Sequence, residues 1–226
     1  MNKIGIKFRD SWFLRRIFHT LEYCLREELK DCETVLDLGC GPSSPLKYCR
    51  NIKFSIGVEA FVPYLEASQN SSIHTKYMNT RIEDVNFPDE SFDAVILIEV
   101  LEHLPKEVGL NILQNTKKWA RKKIIATTPN GYFKMGDVDG NQFQRHLSGW
   151  DLEEMAKLGF KSHGLAGVKL LYSRENHYES YVHGDTLGLN IRIKPRIVGY
   201  GIATLSQLFT YYYPKYSFGT FNVFHK

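Results

Sequence analysis

The run Thr34-Val35-Leu36-Asp37-Leu38-Gly39-Cys40-Gly41-Pro42 constrains the fold more than any other stretch of the chain. Residues of strand character stop at two glycines, which permit a sharp turn and let the backbone approach a ligand closely. Such a turn lies at the carboxyl edge of a parallel sheet, where α/β proteins bind their ligands. A dinucleotide-binding loop would want a third glycine where Ser44 stands, and Asp37, two residues before Gly39, would repel a pyrophosphate. Glu59 ends the next strand 20 residues after Gly39, where a carboxylate can accept hydrogen bonds from both hydroxyls of a ribose. Together the two acids suit a nucleoside carrying positive charge, while Asp37 and Ser44 disfavour a nicotinamide-dependent oxidoreductase.

Alternation continues along the chain. Ile52–Val58, Phe92–Ile98 and Lys123–Thr127 read as strands, with helices expected after the glycine turn, after Pro63 and from Pro105 to Ala120. Leu14, Ile17, Phe18, Leu21, Leu25 and Leu29 recur at spacings of three and four, which predicts one amphipathic helix with Ser11 as N-cap. A polar, Gly-rich stretch spans Pro129 to Gly149. It is followed by a helix from Trp150 to Leu158 with a packing face, and by strands around Val168–Leu171 and Thr220–Phe224. The pattern predicts an α/β fold, a mostly parallel sheet with helices on both faces, in a single domain.

Composition narrows the class. At 43% hydrophobic and 24% charged, the chain is too apolar for a disordered segment and too polar for a polytopic membrane protein. A net charge of +4 names no partner, and nucleic acid is not expected. Cys24, Cys32, Cys40 and Cys49 show no CxxC spacing, and Met1–Arg9 holds no apolar run of signal length, so a cytoplasmic protein with reduced thiols is the expectation.

Val35–Gly41 and Val58-Glu59 resemble the first two motifs of class I S-adenosylmethionine-dependent methyltransferases. The resemblance continues through Phe87–Asp93, Glu99–Leu104 and Thr128-Pro129-Asn130, covering most of residues 33–160. It implies a doubly wound, seven-stranded Rossmann-like sheet, with a helical cover over 1–32, a cofactor-binding core over 33–171, an acceptor lid over 172–216 and a final strand over 217–226. It also implies that S-adenosyl-L-methionine is bound by Asp37, Gly39, Cys40 and Gly41, by Glu59 and Ala60 at the ribose, by Arg81 and Ile82 beside the adenine, and by Glu99. One departure is visible: relatives commonly carry an acid where this chain has Arg81, leaving Glu83 or a backbone carbonyl to meet the adenine amino group. A methyltransferase-like module that binds a nucleoside or a protein without transferring methyl groups stays open as an alternative.

The turn after the fourth strand reads Ile98-Glu99-Val100-Leu101 in place of the Asn/Asp-Pro-Pro-aromatic motif that the family links to methylation of amino groups, which implies an oxygen acceptor: a small molecule, glycan or lipid-linked compound. Glu99, Glu102 and His103 stand at i, i+3 and i+4, so one helical turn would bring them to one face, with His146 approaching from a later loop. Carboxylates and imidazoles in that pattern could bind a divalent metal. The segment resembles Glu-x-x-Glu-His of small-RNA 2′-O-methyltransferases and ubiquinone-pathway O-methyltransferases, which leaves metal-assisted RNA methylation as a further alternative, although the RNA family would place a second histidine at Ser148. Without a metal, His103 would cap the helix and Glu102 would be solvated or bonded locally. His146, with His103 beside it, is also a candidate catalytic base or a loop-ordering residue.

From Ile197 to Pro214 no charged residue occurs, while Lys194, Arg196 and Lys215 flank the segment. Its glycines, hydroxyl side chains and three consecutive tyrosines argue against a bilayer span. A helix packed on the sheet or on a second copy remains open beside an interfacial helix, residues 194–215, that contacts a membrane or lipid-linked substrate. His163, His177 and His183, near Arg174, Glu175, Tyr178 and Tyr181, read as a surface loop or as part of an acceptor site.

Overall fold

The computed structural model describes residues 11–173, 175–176 and 191–226; Met1–Arg9, Arg174, His177, Tyr178, Tyr181 and His183 lie outside them. Nine strands are described: β1 (Thr34–Leu38), β2 (Phe54–Val58), β3 (Lys76–Met78), β4 (Phe92–Ile98), β5 (Ala120–Pro129), β6 (Lys134–Met135), β7 (Lys161–Val168), β8 (Glu175–Asn176) and β9 (Ser217–His225). Seven of them form one sheet in the order β3-β2-β1-β4-β5-β9-β7, and β6 pairs with β8 apart from it. Every pairing in the large sheet is parallel except those of β9 with β5 and β7.

Successive residues of a strand face opposite sides, and the runs of β1, β4 and β5 are apolar at both parities, so both faces are covered. Leu36, Val95, Leu97, Ile124 and Ala126 pack with Ile112, Leu113 and Trp119 of α4 (Lys106–Trp119) and Met155 of α5 (Leu152–Lys157). On the other face, Val35, Ala94, Ile96 and Ile125 pack with Leu25 and Leu29, in and just after α2 (Leu21–Glu28). Burying one such side chain is worth about 1.5–3 kcal/mol, so these two layers hold the sheet edge that carries the site.

Three expectations give way. The single helix from Ser11 is two, α1 (Trp12–Ile17) and α2, because His19 takes φ +46 and stacks on Tyr211 at 4.0 Å; Ser11 stands at the N-cap without a side-chain cap bond. After the glycine turn only a 3₁₀ turn forms, Pro45–Tyr48, since Pro42 and Pro45 lack N–H donors and restrict the residue before each. The strand sought around Val168–Leu171 is β7, which ends at Val168 where Lys169–Leu171 form a 3₁₀ turn.

The remaining helices are α3 (Val62–Asn70) and α6 (Arg196–Thr210). His163 lies within β7, stacked on Tyr211 at 4.5 Å, and is no part of a surface loop. All four cysteines are buried free thiols, and burial pushes Cys32 up to about 11 and Cys24 and Cys49 up to about 12. Among the described residues no helix is long and apolar enough to cross a membrane.

Candidate functional site

β1 pairs with β2 on one side and β4 on the other, so the chain's direction of winding reverses between β1 and β4. A crevice opens at the carboxyl ends of strands at such a point. The turns after β1, β2 and β4 line it.

Gly39 takes φ +69 and Gly41 φ +57, and the Gly39 and Cys40 amides donate to the Val58 carbonyl, which folds the turn over the end of β2. A Cβ on Gly39 would strike Val100 at 2.7 Å, so this glycine serves the close approach of the β4 turn; one on Gly41 would meet nothing within 4 Å. Open space before Gly41 is what a cofactor lying on this loop requires. Cys40 turns its thiol inward, leaving its backbone to face the loop, and burial pushes that thiol up.

Glu59 accepts from Phe61 N at 2.8 Å and Gly41 N at 3.1 Å, which fixes its carboxylate at the mouth of the turn; burial raises its pKa. A diol could use the remaining lone pairs. Asn79 donates to the carbonyls of Glu59 and Ala60 and holds the loop that would border the sugar. Arg81 is committed to a surface ion pair with Glu83 at 2.6 Å, and Ile82 is buried in the core, so neither acid nor base is presented to an adenine from this pair of charges.

Asp37 is buried beneath the turn, and its Oδ2 accepts from Ser44 Oγ at 2.5 Å. His74 Nε2 lies 3.5 Å from the same oxygen, and both ring nitrogens of His74 lack a hydrogen-bond partner. Burial pushes Asp37 up to about 7 and His74 down to about 4, so a neutral imidazole faces a carboxyl poised near neutrality. The roles of Ser44, His74 and Asn79 escape the sequence reading; Ser44 alone left a signal there, as the hydroxyl in the third-glycine position.

The second cluster lies beyond β4. Glu99 takes φ +54, its amide donating to Thr127 Oγ1 at 3.0 Å, and Leu101–His103 then form a 3₁₀ turn. The α-helical turn that would align Glu99 with Glu102 and His103 does not form. Ligand atoms of Glu102, His103 and His146 converge within 4.8 Å, and Glu99 stands outside that group, a correction to the four-residue set.

His146 is brought in by a loop tied to the 3₁₀ turn: Leu147 N and Ser148 N donate to the Glu102 carbonyl, and Ser148 Oγ donates to Leu101 O while accepting from Trp150 Nε1. Nδ1 of His146 meets Phe133 O at 2.6 Å and Nδ1 of His103 meets Arg145 O at 3.2 Å. Carbonyls only accept, so both Nδ1 atoms carry the hydrogen and both Nε2 atoms keep a free lone pair. Burial pushes each histidine down to about 4. Glu102 is 2% exposed and takes no hydrogen bond from a nitrogen or hydroxyl donor; burial, then the Glu99 carboxyl that shares a hydrogen bond with it, push it well above the usual range. A buried carboxyl with no such donor beside two neutral nitrogen ligands fits a divalent cation.

Residues 36–126 match the model of a family described as a methyltransferase domain. Among curated proteins none matches the sequence. A S-adenosylmethionine-dependent methyltransferase from Archaeoglobus fulgidus superposes with a TM-score of 0.54 at 17% identity, over 96% of this chain and 100% of that one. The small RNA methyltransferase HEN1 superposes with 0.56 at 16% identity, over 94% of this chain and 26% of that one. For the PH0226 protein of Pyrococcus horikoshii the TM-score is 0.45 at 20% identity, and the match covers 54% of this chain and 60% of that protein's length. At such identities the likeness is one of fold. The matched segment, the strand order and the glycine turn with its paired acids agree with one another: residues 36–126, the part of the chain that carries this turn, are similar to a methyltransferase domain.

Proposed function

We propose that the chain methylates an oxygen acceptor, a hydroxyl of a small molecule, glycan or lipid-linked compound, beside a divalent cation held by Glu102, His103 and His146. The observation that carries the reading is the convergence of those ligand atoms within 4.8 Å around a buried carboxyl that no nitrogen or hydroxyl donor meets. A histidine pushed down to about 4 accepts a proton poorly at neutral pH, yet remains a neutral nitrogen ligand, which favours metal binding over general-base work for His146. A bound cation would lower the pKa of an acceptor hydroxyl. The sulfonium methyl of S-adenosylmethionine needs only an aligned nucleophile, so positioning and exclusion of water carry the remaining catalysis. Ser148, where the RNA family would offer a second histidine, is committed to Leu101 and Trp150, which speaks for the small-molecule reading over RNA.

Turnover on a panel of hydroxylated acceptors, with chelator and with magnesium or manganese restored, tests this. Chelation should slow transfer by about 10- to 100-fold, and His146→Ala should do the same while leaving S-adenosylmethionine binding intact. Asp37→Ala should instead lose the cofactor. Full turnover in chelator would overturn the metal, and transfer to an amine alone would overturn the acceptor class.

A further inference from the structure

Helix α6 is built inside out. Its inward positions are small or polar: Gly199, Ala203, Gln207 and Thr210 are buried, and Gln207 donates to Gly164 O at 2.9 Å and accepts from Gly167 N at 2.9 Å, while Ser206 Oγ accepts from Val168 N at 3.0 Å. These bonds satisfy the irregular end of β7, where Ala166 and Gly167 take positive φ. Its outward positions are aliphatic and aromatic: Ile197, Val198, Ile202, Leu205, Leu208 and Phe209 are all exposed. At 100° per residue those six fall within an arc of roughly 140° on one side of the helix. A helix stabilised only by its contacts with the sheet would carry the opposite pattern.

The charges that this segment itself carries have one sign. From Ile191 to Lys226 the chain holds no Asp or Glu, whereas Arg192, Lys194 and Arg196 precede the helix and Lys215 follows it. Tyr212, Tyr213 and Tyr216, exposed at its far end, are residues that settle where an apolar phase meets water. Ala203, Gln207 and Thr210 meet β7 in the reverse direction of that strand, so the cationic start of α6 lies beyond the carboxyl end of β7, on the edge of the sheet where the cofactor turn opens.

We propose that the outward face of α6 seats the protein on the surface of an anionic lipid bilayer, the apolar side chains entering the interface and the flanking cations meeting lipid phosphates. The helix lies on such a surface and does not cross it, in keeping with its 15 residues. A second copy suits the face less well, because a two-fold interface would bring two sets of Arg192, Lys194, Arg196 and Lys215 together with no acid in the segment to balance them. The inference goes beyond the acceptor reading and does not depend on it.

Co-sedimentation of the full chain with phosphatidylcholine vesicles, with and without about 30% phosphatidylserine, tests the proposal without any acceptor or metal. Binding should appear on the anionic vesicles, weaken at high salt, and fall at least about tenfold in Leu205→Glu with Phe209→Glu and, separately, in Arg192→Glu with Lys194→Glu. S-adenosylmethionine affinity, measured on the same variants, should stay unchanged and thereby show that they fold. Retention of the wild-type chain in the supernatant at low salt would overturn the proposal. So would a dimer in sedimentation velocity that Leu205→Glu converts to monomer while vesicle binding is absent.

Discussion

Asp37 holds its proton unusually tightly: burial raises its pKa to about 7, against the Ser44 hydrogen bond and with the help of Glu59. The folded protein therefore binds more protons at this residue than the unfolded chain, so ionised Asp37 costs stability on the order of 4 kcal/mol, a penalty absent below about pH 4 and complete above about pH 7. A cationic ligand favours the ionised form, so affinity for S-adenosylmethionine should climb by up to about tenfold per pH unit between about pH 5 and 7, then level off. Calorimetric titration across that range checks it, with Asp37→Asn expected to flatten the profile; a wild-type affinity without slope would separate Asp37 from the ligand. Glu102 supplies a second case. Glu102→Gln replaces a carboxyl that burial already holds protonated with a neutral amide, so the metal-free protein should melt no lower than the wild type, while manganese should no longer stabilise it. Scanning calorimetry with and without the ion decides, and a lower melting point in the metal-free variant would sink the idea. Asp37 and Glu59 stand where the sequence put them because strand ends place them, whereas the helical spacing expected to gather Glu99, Glu102 and His103 does not form, and His146 joins Glu102 and His103 through a loop that no short spacing encodes. His74 and Asn79 were not legible, because each reaches its partner across the register of β2 and β3, which no local pattern encodes.

At the scale of elements, legibility followed apolar content. β1, β4 and β5 are buried on both faces and declared themselves as apolar runs, whereas β7, with Ser162, His163, Gly164 and Gly167, does not. Its glycines answer to α6: a Cβ on Gly164 would fall on the Thr210 carbonyl, and one on Gly167 on that of Ala203. Gly164→Ala should therefore destabilise the fold by about 2–4 kcal/mol in urea unfolding. Gly201→Ala, on the same helix with nothing within 4 Å of the added carbon, should be neutral or stabilise by up to about 1 kcal/mol. Equal effects at the two sites would mean that α6 does not bear on β7 as described. The break between α1 and α2 was hidden for a related reason, since the apolar stripe runs through His19 and only the stacking on Tyr211, nearly two hundred positions away in sequence, favours the bend.

At the scale of the molecule, the alternation of strands and helices was enough to give a mostly parallel sheet with helices on both faces, because each burial pattern is local, whereas its doubly wound, seven-stranded form came from the family resemblance. The antiparallel entry of β9 between β5 and β7 was not contained in that alternation; it depends on the chain's return from α6. The four buried thiols turn this architecture into its own reporter. Cys24 and Cys32 lie on the buried side of the N-terminal cover, Cys49 follows the 3₁₀ turn, and Cys40, within the cofactor turn, faces its sulfur toward Gly57 and His74. None can become a nucleophile until the layer above it lifts, so a thiol-reactive dye should label the native protein only through opening events, at least about a thousandfold more slowly than an exposed cysteine. S-adenosylhomocysteine should slow Cys40 selectively, and mass spectrometry of the labelled peptides would then read out, position by position, the order in which the molecule comes apart.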